Sequence, residues 1–445
     1  MKISQSKVLL VLIMILFGKI SAQNPIIMDQ YTADPTARVF EGKIYLYPSH
    51  DILAIEGKGK IGWFCMEDYH VFSSFNLTDW EDYGVIVSQN KVPWVDSNTY
   101  SMWAPDCIEK NGKFYFYFPA MNKDTTTQFR MNIGVAISDK PYGPFIPQNE
   151  PIKNVRGIDP NVFIDKDGQA YLYWSARNIY VAKLKENMVE LETEPQIISN
   201  LPEKGLKEGP FMFERNGIYY LTYPHVENNT ERLEYAIGEH PLGPFTVKGV
   251  IMDESPNCWT NHQSIVEYKN QWYLFYHFND LSPHFDKNRS TRIDSLFFNE
   301  DGTIKKVIPT LRGVGITNAK SKIQIDKYSA KSDCGVSVEF IDTTKKYEGW
   351  KSIYENENSW IQYNSVDFGK NEVKSVNINV KAIEGGELEI RLGNTEGKLI
   401  AKIEIEKKDD WKTIKSKFVS IPIGIQNLIV ISKGKKVEID WMNFE

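Results

Sequence analysis

Hydrophobic and aromatic positions recur along the chain in five short segments that share one layout. Each segment begins with a turn that contains small or acidic residues. A few residues later comes a second turn that contains Gly or Asn, and the segment ends in a run rich in aromatic residues. The five segments cover residues 33–47, 104–118, 158–174, 208–223 and 262–276. Aromatic runs of this length, bounded by turn residues, predict β-strands. The aromatic end of each segment is therefore expected to be a buried strand.

The spacing of these segments predicts how the strands are arranged. Their openings at Asp34, Asp106, Asp159, Glu208 and His262 lie about 50 to 70 residues apart, a period typical of β-propellers. A second recurring element, a strand followed by a Pro-x-Gly-Pro-Phe turn, occurs at residues 134–145 and 235–245. Sustained helical periodicity is scarce. The pattern predicts an all-β fold that begins with a five-bladed β-propeller over residues 23–318.

The polar pattern changes near residue 320. Lysine becomes common, aromatic residues thin out, and apolar and polar positions alternate in short runs that are separated by turn signals at 385–386, 394–397 and 434. Such alternation is typical of antiparallel strands with one exposed face. We expect residues 325–445 to form a β-sandwich of jelly-roll type.

The N-terminal 22 residues have the layout of a signal peptide. Lys2 and Lys7 precede an apolar run of ten residues, and small residues follow before Gln23. The run is too short to cross a membrane, and no later stretch approaches 18 apolar residues, so no membrane span is expected. We expect residues 1–22 to direct export to the periplasm or the cell exterior.

Charge and composition limit the classes of molecule that the protein is expected to bind. The formal net charge is −6, and no basic tract interrupts the acidic balance, so nucleic acid is not an expected partner. Aromatic residues make up 13% of the chain, and exposed aromatic rings form the surfaces on which sugars stack. The composition therefore favours a carbohydrate partner over a polyanion.

Three of the five segments open on a carboxylate, namely Asp34, Asp159 and Glu208. The first strand of each propeller blade lines the central channel, so acids at equivalent positions are expected to meet in one pocket. Like charges in a partly desolvated site separate their pKa values, which gives the acid and base that glycoside hydrolysis requires. The alternative is that an Asp before Pro only initiates a turn. Asp106 follows a Pro instead of preceding one, and we assign it a structural role.

Several of these motifs occur together in one known family. They are the ADP at 33–35, the MWAPD at 102–106, the IDPNVFID at 158–165, the EGPFMF at 208–213, the HQS at 262–264 and the two Pro-x-Gly-Pro-Phe turns. In this ordered set the chain resembles glycoside hydrolase family 43, whose members are inverting enzymes on a five-bladed propeller. The resemblance covers about residues 27–318.

The resemblance implies roles for individual residues. Asp34 matches the general base that activates water, Glu208 the general acid, and Asp159 the carboxylate that raises the pKa of the acid and orients the sugar. Substrate contacts are implied for Trp103, His262 and Arg289, with Arg292 close enough to compete for the last match. No cofactor is required in such enzymes, although a His at the position of His262 can hold a water or a structural calcium ion. Plain packing is the alternative for this histidine.

The C-terminal region resembles carbohydrate-binding module family 6 through residues 359–369, 385–393, 409–414 and 438–444. In that family a Tyr and a Trp enclose a sugar, and the nearest matches are Tyr354 and Trp411. Glu438 replaces an asparagine that commonly assists binding. A domain that only supports the propeller is therefore an equal alternative to a sugar-binding one.

Taken together, these features predict an exported, inverting exo-glycosidase that releases terminal pentoses from plant cell-wall polysaccharides or oligosaccharides. An α-L-arabinofuranosidase is the first expectation. A β-xylosidase or a bifunctional arabinofuranosidase/xylosidase is the next, followed by an endo-arabinanase. A non-catalytic sugar-binding propeller is the alternative of a different class, and the three retained acids argue against it.

Overall fold

The computed structural model describes residues 24–126, 129–344, 349–370, 373–434 and 436–445. The predicted signal segment 1–22 lies outside these residues. Within them the fold is all-β, as predicted, and the one helix is a 3₁₀ turn at Gln89–Lys91. None of the helical structure in these ranges has the length and apolar character needed to cross a membrane.

Five antiparallel sheets form the five blades of the predicted propeller. Blade one contains β1 (Ala33–Phe40), β2 (Lys43–Ser49), β3 (Asp68–Ser74) and β4 (Glu81–Ser88). Blade two contains β5 (Asp106–Lys110), β6 (Lys113–Met121), β7 (Met131–Ser138) and β8 (Ile146–Pro147). Blade three contains β9 (Ile158–Ile164), β10 (Ala170–Ala176), β11 (Asn178–Lys183) and β12 (Gln196–Ile197).

The last two blades depart from the simple four-stranded form. Blade four contains β13 (Leu206–Lys207), β14 (Phe211–Arg215), β15 (Ile218–Val226), β16 (Glu231–Gly238) and β17 (Phe245–Met252). Both β13 and β14 pair with β15, so the inner strand of this blade is interrupted at residues 208–210. Blade five contains β18 (Ser264–Tyr268), β19 (Gln271–Phe278) and β20 (Ser290–Leu296).

The N-terminal residues complete the ring. The backbone N–H groups of Ile26 and Thr32 donate to the carbonyls of Thr291 and Arg289 along β20. The Asn24 side chain donates to the carbonyls of Ile293 and Thr310. Residues 24–32 therefore lie beside the outer strand of blade five and join the start of the propeller chain to its last blade.

Aromatic side chains from the second strand of each hairpin pack between neighbouring blades, as the aromatic runs predicted. Tyr47 of blade one and Phe116 of blade two lie with ring centroids 5.9 Å apart, and both are fully buried. Phe213 of blade four stacks on Tyr220 at 4.7 Å and contacts Trp272 of blade five. These contacts fix each blade against the next and set the inner strands around the channel.

The C-terminal residues form a sandwich of two six-stranded sheets. One sheet contains β21 (Thr317–Asn318), β23 (Ala330–Lys331), β26 (Trp360–Asp367), β28 (Gly386–Leu392), β29 (Leu399–Ile405) and β31 (Ile425–Ser432). The other contains β22 (Ile323–Gln324), β24 (Val336–Phe340), β25 (Trp350–Tyr354), β27 (Ser375–Ala382), β30 (Lys408–Lys417) and β32 (Val437–Phe444). An apolar core fills the space between them.

The boundary between the two domains differs from the sequence prediction. Thr317–Asn318, which the sequence assigned to the end of the propeller, pairs with β26 and so belongs to the sandwich. Arg312 lies just before this point, is buried, and donates to the carbonyl oxygen of Asn364. The predicted boundary at residue 318 is therefore too late, because the connecting segment already contributes to the second domain.

Candidate active site

One pocket at the end of the channel collects the six propeller residues to which the resemblance gives catalytic or substrate-binding roles: Asp34, Trp103, Asp159, Glu208, His262 and Arg289. Its wall also includes Trp63, Phe64, Met66, Trp259, Thr260, Asn261 and Glu231. The propeller thus brings together side chains that are up to 255 positions apart in sequence. This convergence makes the pocket the candidate active site.

Strand pairing arranges the wall in two levels. Counting back from the β-hairpins gives an outer level of Ala33, Trp103, Ile158, Glu208 and Asn261. The next level inward contains Asp34, Ala104, Asp159, Gly209 and His262. Glu208 therefore lies one residue before the position of the two aspartates, and the sequence-based alignment of all three acids at one position is wrong.

Backbone conformation explains this offset. Asp34, Asp159 and Gly209 all have positive φ, at 45°, 55° and 54°, and each precedes a proline. A non-glycine residue in this region costs about 1–3 kcal/mol, and such strain is concentrated at functional sites. Asp tolerates the conformation better than most residues. At Gly209 a Cβ atom would lie 3.0 Å from His262 Nδ1 and 2.9 Å from the Pro224 ring, so the acid of blade four comes from the preceding residue.

Asp106 lies deeper than either level and has a structural role. Its carboxylate accepts from both Arg38 and the backbone N–H of Val162, at 2.6 Å each. It is fully buried and does not line the pocket. These bonds join blades one, two and three around the channel.

Asp34 is held as an ionised carboxylate. Arg289 donates to its two oxygens at 2.8 and 3.1 Å, and Ser49 Oγ donates at 2.5 Å. The backbone N–H of Asp34 donates to His277 Nδ1 at 3.1 Å. Burial by itself raises the pKa of this carboxyl, but Arg289 and the neighbouring histidines outweigh it and lower the pKa to about 2. Asp34 therefore carries a negative charge throughout the neutral range.

Arg289 is itself fixed by a second carboxylate. Asp51 accepts from the Nε, the Nη2 and the backbone N–H of Arg289 at 2.8–2.9 Å. Both residues are buried, and such bidentate guanidinium–carboxylate pairs have a well-defined geometry. The competing match, Arg292, pairs with Asp280 instead. The structure thus places Arg289, and not Arg292, opposite the predicted base.

Glu208 belongs to a cluster of acids that tend to retain protons. Burial raises the pKa of Glu208, and the charge of Asp34 adds to this, although a hydrogen bond from Glu231 opposes it. Burial and the neighbouring Glu208 raise the pKa values of both Glu231 and Asp159 well above the ordinary range. Asp159 accepts from the Gly209 N–H at 3.0 Å, and Glu231 accepts from the Asn261 N–H at 2.5 Å. The same pocket therefore contains one carboxyl whose pKa is lowered and three whose pKa values are raised.

Aromatic rings form one side of the pocket mouth. Trp103 lies 6.5 Å from Phe64, and Phe64 lies 6.1 Å from Trp259, measured between ring centroids. Trp63 extends this wall towards solvent and is 39% exposed. Trp103 therefore belongs to the pocket wall, and its contact with the terminal sugar stays a prediction.

His262 lies in the channel at the level of Asp34 and is buried. Burial lowers its pKa to about 4, so its imidazole is neutral, and a ring nitrogen can accept a hydrogen bond or bind a cation. The adjacent Gln263 has a buried Oε1 atom without a partner in the described part of the chain. Calcium takes six to eight oxygen ligands, and this pair offers one such oxygen, Gln263 Oε1, beside an imidazole nitrogen. A calcium ion at this position would therefore take most of its ligands from water.

The structure contradicts one prediction for the C-terminal domain. Tyr354 is fully buried in the core between the two sheets, where no sugar can reach its ring. Trp411 is half-buried on β30, and two strands, β32 and β27, separate it from the strand of Tyr354. Strands in a sheet are about 4.8 Å apart, so the two rings cannot enclose one sugar. Tyr354 is therefore not a binding residue, because its alternation along β25 directs it inward.

Several residues that complete the site lie outside the motifs that the sequence reveals. Glu231, Asp51, His277 and Ser49 all lie at or just beyond the ends of second or third blade strands, outside the repeated openings. Ser49 and Asp51 come just after the aromatic run of β2, at the end of that strand that lies beside Asp34. Extending the repeat to the far end of each second strand would have detected these two, whereas Glu231 has no comparable signal.

Comparison with known proteins agrees with this site. Residues 22–304 match the model of Glycosyl hydrolases family 43, and residues 328–445 match that of Carbohydrate binding module (family 6). Xylosidase/arabinosidase 43A of Humicola insolens is 38% identical over 329 residues, which cover 63% of this chain and 98% of that protein. An arabinoxylan arabinofuranohydrolase of Bacillus subtilis (strain 168) is 25% identical over 473 residues, 93% of this chain and 90% of that protein.

A solved structure shows the same similarity in three dimensions. It is a β-xylosidase/α-arabinofuranosidase from a compost microbial metagenome, in complex with xylotriose and in a calcium-free form. It aligns with a TM-score of 0.58 and 36% identity, over 64% of this chain and 97% of that one. The first relative and this structure match the propeller, whereas the Bacillus subtilis protein matches across both domains.

Proposed function

This chain belongs to glycosyl hydrolase family 43, and we propose that it is an inverting, exo-acting enzyme that releases terminal pentoses from plant cell-wall polysaccharides or their oligosaccharides. The observation that carries this proposal is that one pocket brings Asp34, which Arg289 contacts through both carboxylate oxygens, together with the acids Glu208, Asp159 and Glu231. Despite its burial, the pKa of Asp34 is lowered by Arg289 to about 2, whereas burial raises the pKa values of the other three acids. The pocket therefore pairs a carboxylate with carboxyls that hold their protons more tightly, as general acid–base catalysis requires.

In the proposed reaction Asp34 and Glu208 act on opposite sides of the sugar. Asp34 accepts a proton from a water molecule as that water attacks the anomeric carbon. The bond between this carbon and the glycosidic oxygen breaks, and Glu208 donates its proton to the leaving oxygen. Solvent then removes the proton from Asp34 and returns one to Glu208. Because water attacks the face opposite the leaving group, the configuration of the anomeric carbon is inverted.

Other residues position these groups. Arg289 holds the Asp34 carboxylate in one orientation through two hydrogen bonds. Asp159 lies at the level of Asp34, and its carboxyl and that of Glu208 disfavour each other's ionisation. Trp103 offers a ring face to the C–H groups of the terminal sugar. None of these residues transfers a proton in the proposed reaction; Asp34 and Glu208 do.

We propose that both α-L-arabinofuranosyl and β-D-xylosyl groups are substrates. Two pentoses present similar hydroxyl patterns, and the similar propellers above include a xylosidase/arabinosidase and a β-xylosidase/α-arabinofuranosidase. Arabinofuranosyl side chains of arabinoxylan are the first choice, supported by the relative that also shares the C-terminal domain. A signal peptide at residues 1–22 would deliver the enzyme to the periplasm or the cell exterior, where such polymers are found.

The proposal is tested with nitrophenyl α-L-arabinofuranoside and nitrophenyl β-D-xyloside. We expect release of nitrophenol from both by the wild-type protein and a loss of about 10²–10⁴-fold in Glu208→Gln. Glu214→Gln is the matched control, because Glu214 lies on β14 of the same blade outside the pocket and should retain full activity. Absence of activity on both substrates, or full activity of Glu208→Gln, would contradict the proposal.

The mode of attack is tested by the products. Arabinoxylan, arabinan and xylo-oligosaccharides should yield only free pentose, and NMR of the first product should show the inverted anomer. Oligosaccharide products from arabinan would identify an endo-arabinanase instead. Retention of configuration would contradict the assigned roles of Asp34 and Glu208. Binding to these polymers without any product would identify a non-catalytic propeller.

A further inference from the structure

A second group of ionisable side chains lies in blade one, outside the pocket. His50 follows β2, Asp68 and His70 lie on β3, and Asp82 lies on β4. One ligand atom from each of His50, Asp68 and His70 falls within 4.8 Å of the other two. The imidazole rings of His50 and His70 have centroids 4.9 Å apart. None of these residues lines the active site.

The charges in this group are not balanced by lysine or arginine. His50 Nδ1 lies 2.6 Å from Asp68, and His70 Nδ1 lies 3.0 Å from both oxygens of Asp82. Among the residues that the structure describes, no Lys or Arg forms an ion pair with either aspartate; Asp82 has only Gln30 and the Gly84 N–H as further donors. A divalent cation bound here would offset the charges of both carboxylates.

The ligand types indicate which cation fits. Two imidazoles and one carboxylate are a donor set for zinc and similar transition metals, whereas calcium and magnesium prefer oxygen ligands. Metal-bound histidines commonly donate their other ring N–H to a carboxylate, which is the relation of His70 to Asp82. Bonds of about 2.0–2.1 Å require the ligand atoms to come to about 3.3 Å from one another, a change that side-chain rotation can make. The side chains of His50, Asp68 and His70 are 15–19% exposed, so an ion can enter from solvent.

The position of His50 links this group to the catalytic base. His50 lies between Ser49, which donates to Asp34, and Asp51, which holds Arg289. Successive residues in an extended segment point to opposite sides, so His50 faces away from the pocket while its two neighbours face it. A ligand that fixes His50 therefore also fixes the backbone that orients the base.

We propose that His50, Asp68 and His70 bind one divalent transition-metal ion of the Zn²⁺ type, and that Asp82 positions His70 for it. The ion joins β3 to the segment 49–51 and so holds Ser49 and Asp51 in place behind Asp34. This site is distinct from the channel at His262, and its ligands favour nitrogen-binding metals over calcium.

Binding is tested on the full chain, stripped with a chelator and with any polyhistidine tag removed. Zn²⁺ and Co²⁺ are then added, and metal content, Tm and the visible absorption of Co²⁺ are measured. We expect one bound equivalent and a rise in Tm for the wild-type protein, and neither for His70→Gln. Asp82→Asn should bind about 10–100-fold more weakly. His240→Gln, which changes an exposed histidine in a distant turn, is the control and should behave as wild type.

The outcomes separate this proposal from the proposed enzyme function, because metal content and Tm need no substrate. An equal Tm rise in wild type and His70→Gln would place the metal elsewhere and overturn the site. Preference for Ca²⁺ over Zn²⁺ would also overturn it. Should His70→Gln not fold, Asp82→Asn decides, and unchanged affinity in that variant contradicts the proposal. Zn²⁺ binding that leaves kcat on the nitrophenyl substrates unchanged would overturn the link to Asp34.

Discussion

The propeller and the sandwich are both built from antiparallel strands, yet they bury different chemistry. The propeller buries acids and bases in its channel, including Asp34, Asp51, Asp106, Asp159 and Arg289. In the sandwich, across the residues described from 317 onwards, Asp326 is the only charged residue among those that are buried. Its core is otherwise a continuous apolar cluster.

This contrast shows where each domain carries out its role. Burying a charge is unfavourable unless it is paired, so a domain retains buried charges where chemistry requires them or where ion pairs fix its geometry. The sandwich follows the simpler rule of an apolar interior. Changes in the propeller channel should therefore alter rate, and changes in the sandwich core should alter stability alone.

The largest expected effect comes from Asp34→Asn. The variant cannot accept a proton from water, so kcat on nitrophenyl substrates should fall by about 10²–10⁴-fold. Asp106→Asn is the matched control, since Asp106 is equally buried and also paired with an arginine but lies outside the pocket. Breaking a buried pair costs about 3–5 kcal/mol of stability, so Asp106→Asn should clearly lower Tm. Its kcat, measured where the variant is still folded, should fall far less than that of Asp34→Asn. Equal rate losses in the two folded variants would contradict the contrast.

The next largest effect is expected in the sandwich core. Leu428 is fully buried between the two sheets, and Leu428→Ala should lower the free energy of unfolding by about 2–5 kcal/mol. Denaturant unfolding measures this loss. At a temperature where the variant remains folded, kcat/KM on nitrophenyl substrates should equal that of the wild-type protein. A fall in kcat/KM there would show that the sandwich acts on the site.

A smaller, pH-dependent effect is expected from Glu231→Gln. Burial and Glu208 raise the pKa of Glu231 in the folded protein, so the unfolded chain binds fewer protons above about pH 4.5. Stability of the wild-type protein is therefore lost as pH rises from the unfolded pKa to the folded pKa, by about 1.4 kcal/mol for each pH unit between them. Glutamine does not ionise and can still accept from Asn261, so the variant should be the more stable at neutral pH.

Urea unfolding at several pH values measures this difference. The advantage of Glu231→Gln should disappear towards pH 4, where the carboxyl is protonated in both states. Glu227→Gln, at an exposed position near the same strand, should show no such gain. A variant that is less stable than wild type at every pH would mean that Glu231 is ionised in the folded protein.

The smallest effect is expected from Tyr354→Phe. The Tyr354 hydroxyl is buried and has no partner within the described structure, so its removal should change the free energy of unfolding by no more than about 1 kcal/mol. Retention on insoluble arabinoxylan should not change. Loss of retention in this variant, but not in Trp411→Ala, would show that Tyr354 reaches the surface after all.

The sequence predicted the architecture well because one repeat encodes it. The aromatic runs that end each segment, such as residues 43–47, are the buried strands, and the openings line the channel. The boundary near residue 318 could not be placed, because a two-residue strand has too little pattern to show which sheet it joins. The prediction for Tyr354 was wrong because side chains along β25 alternate between the two faces of the sheet. The local motif does not show which face carries Tyr354.

The site was predictable only where the repeat carries it. Asp34 and Asp159 occupy equivalent turns in two different blades, and in both the Asp-Pro pair is visible in the sequence. Burial raises the pKa of Asp34, and the groups that lower it, chiefly the charge of Arg289 with His277 and the Ser49 hydrogen bond, meet it only after the ring closes. Glu231 begins a third strand at a position that no repeat marks. Electrostatics of this kind depends on contacts between blades, which a linear pattern does not contain.

The glycine at position 209 also limits how this propeller can be redesigned. The backbone there matches that of Asp34 and Asp159, so Gly209→Asp is the obvious substitution for placing an acid at this level of blade four. His262 and the Pro224 ring already fill the space that a side chain would need. New acids would have to enter at the outer level, as the longer Glu208 does, or at Ala104, where blade two presents a small side chain at the same depth.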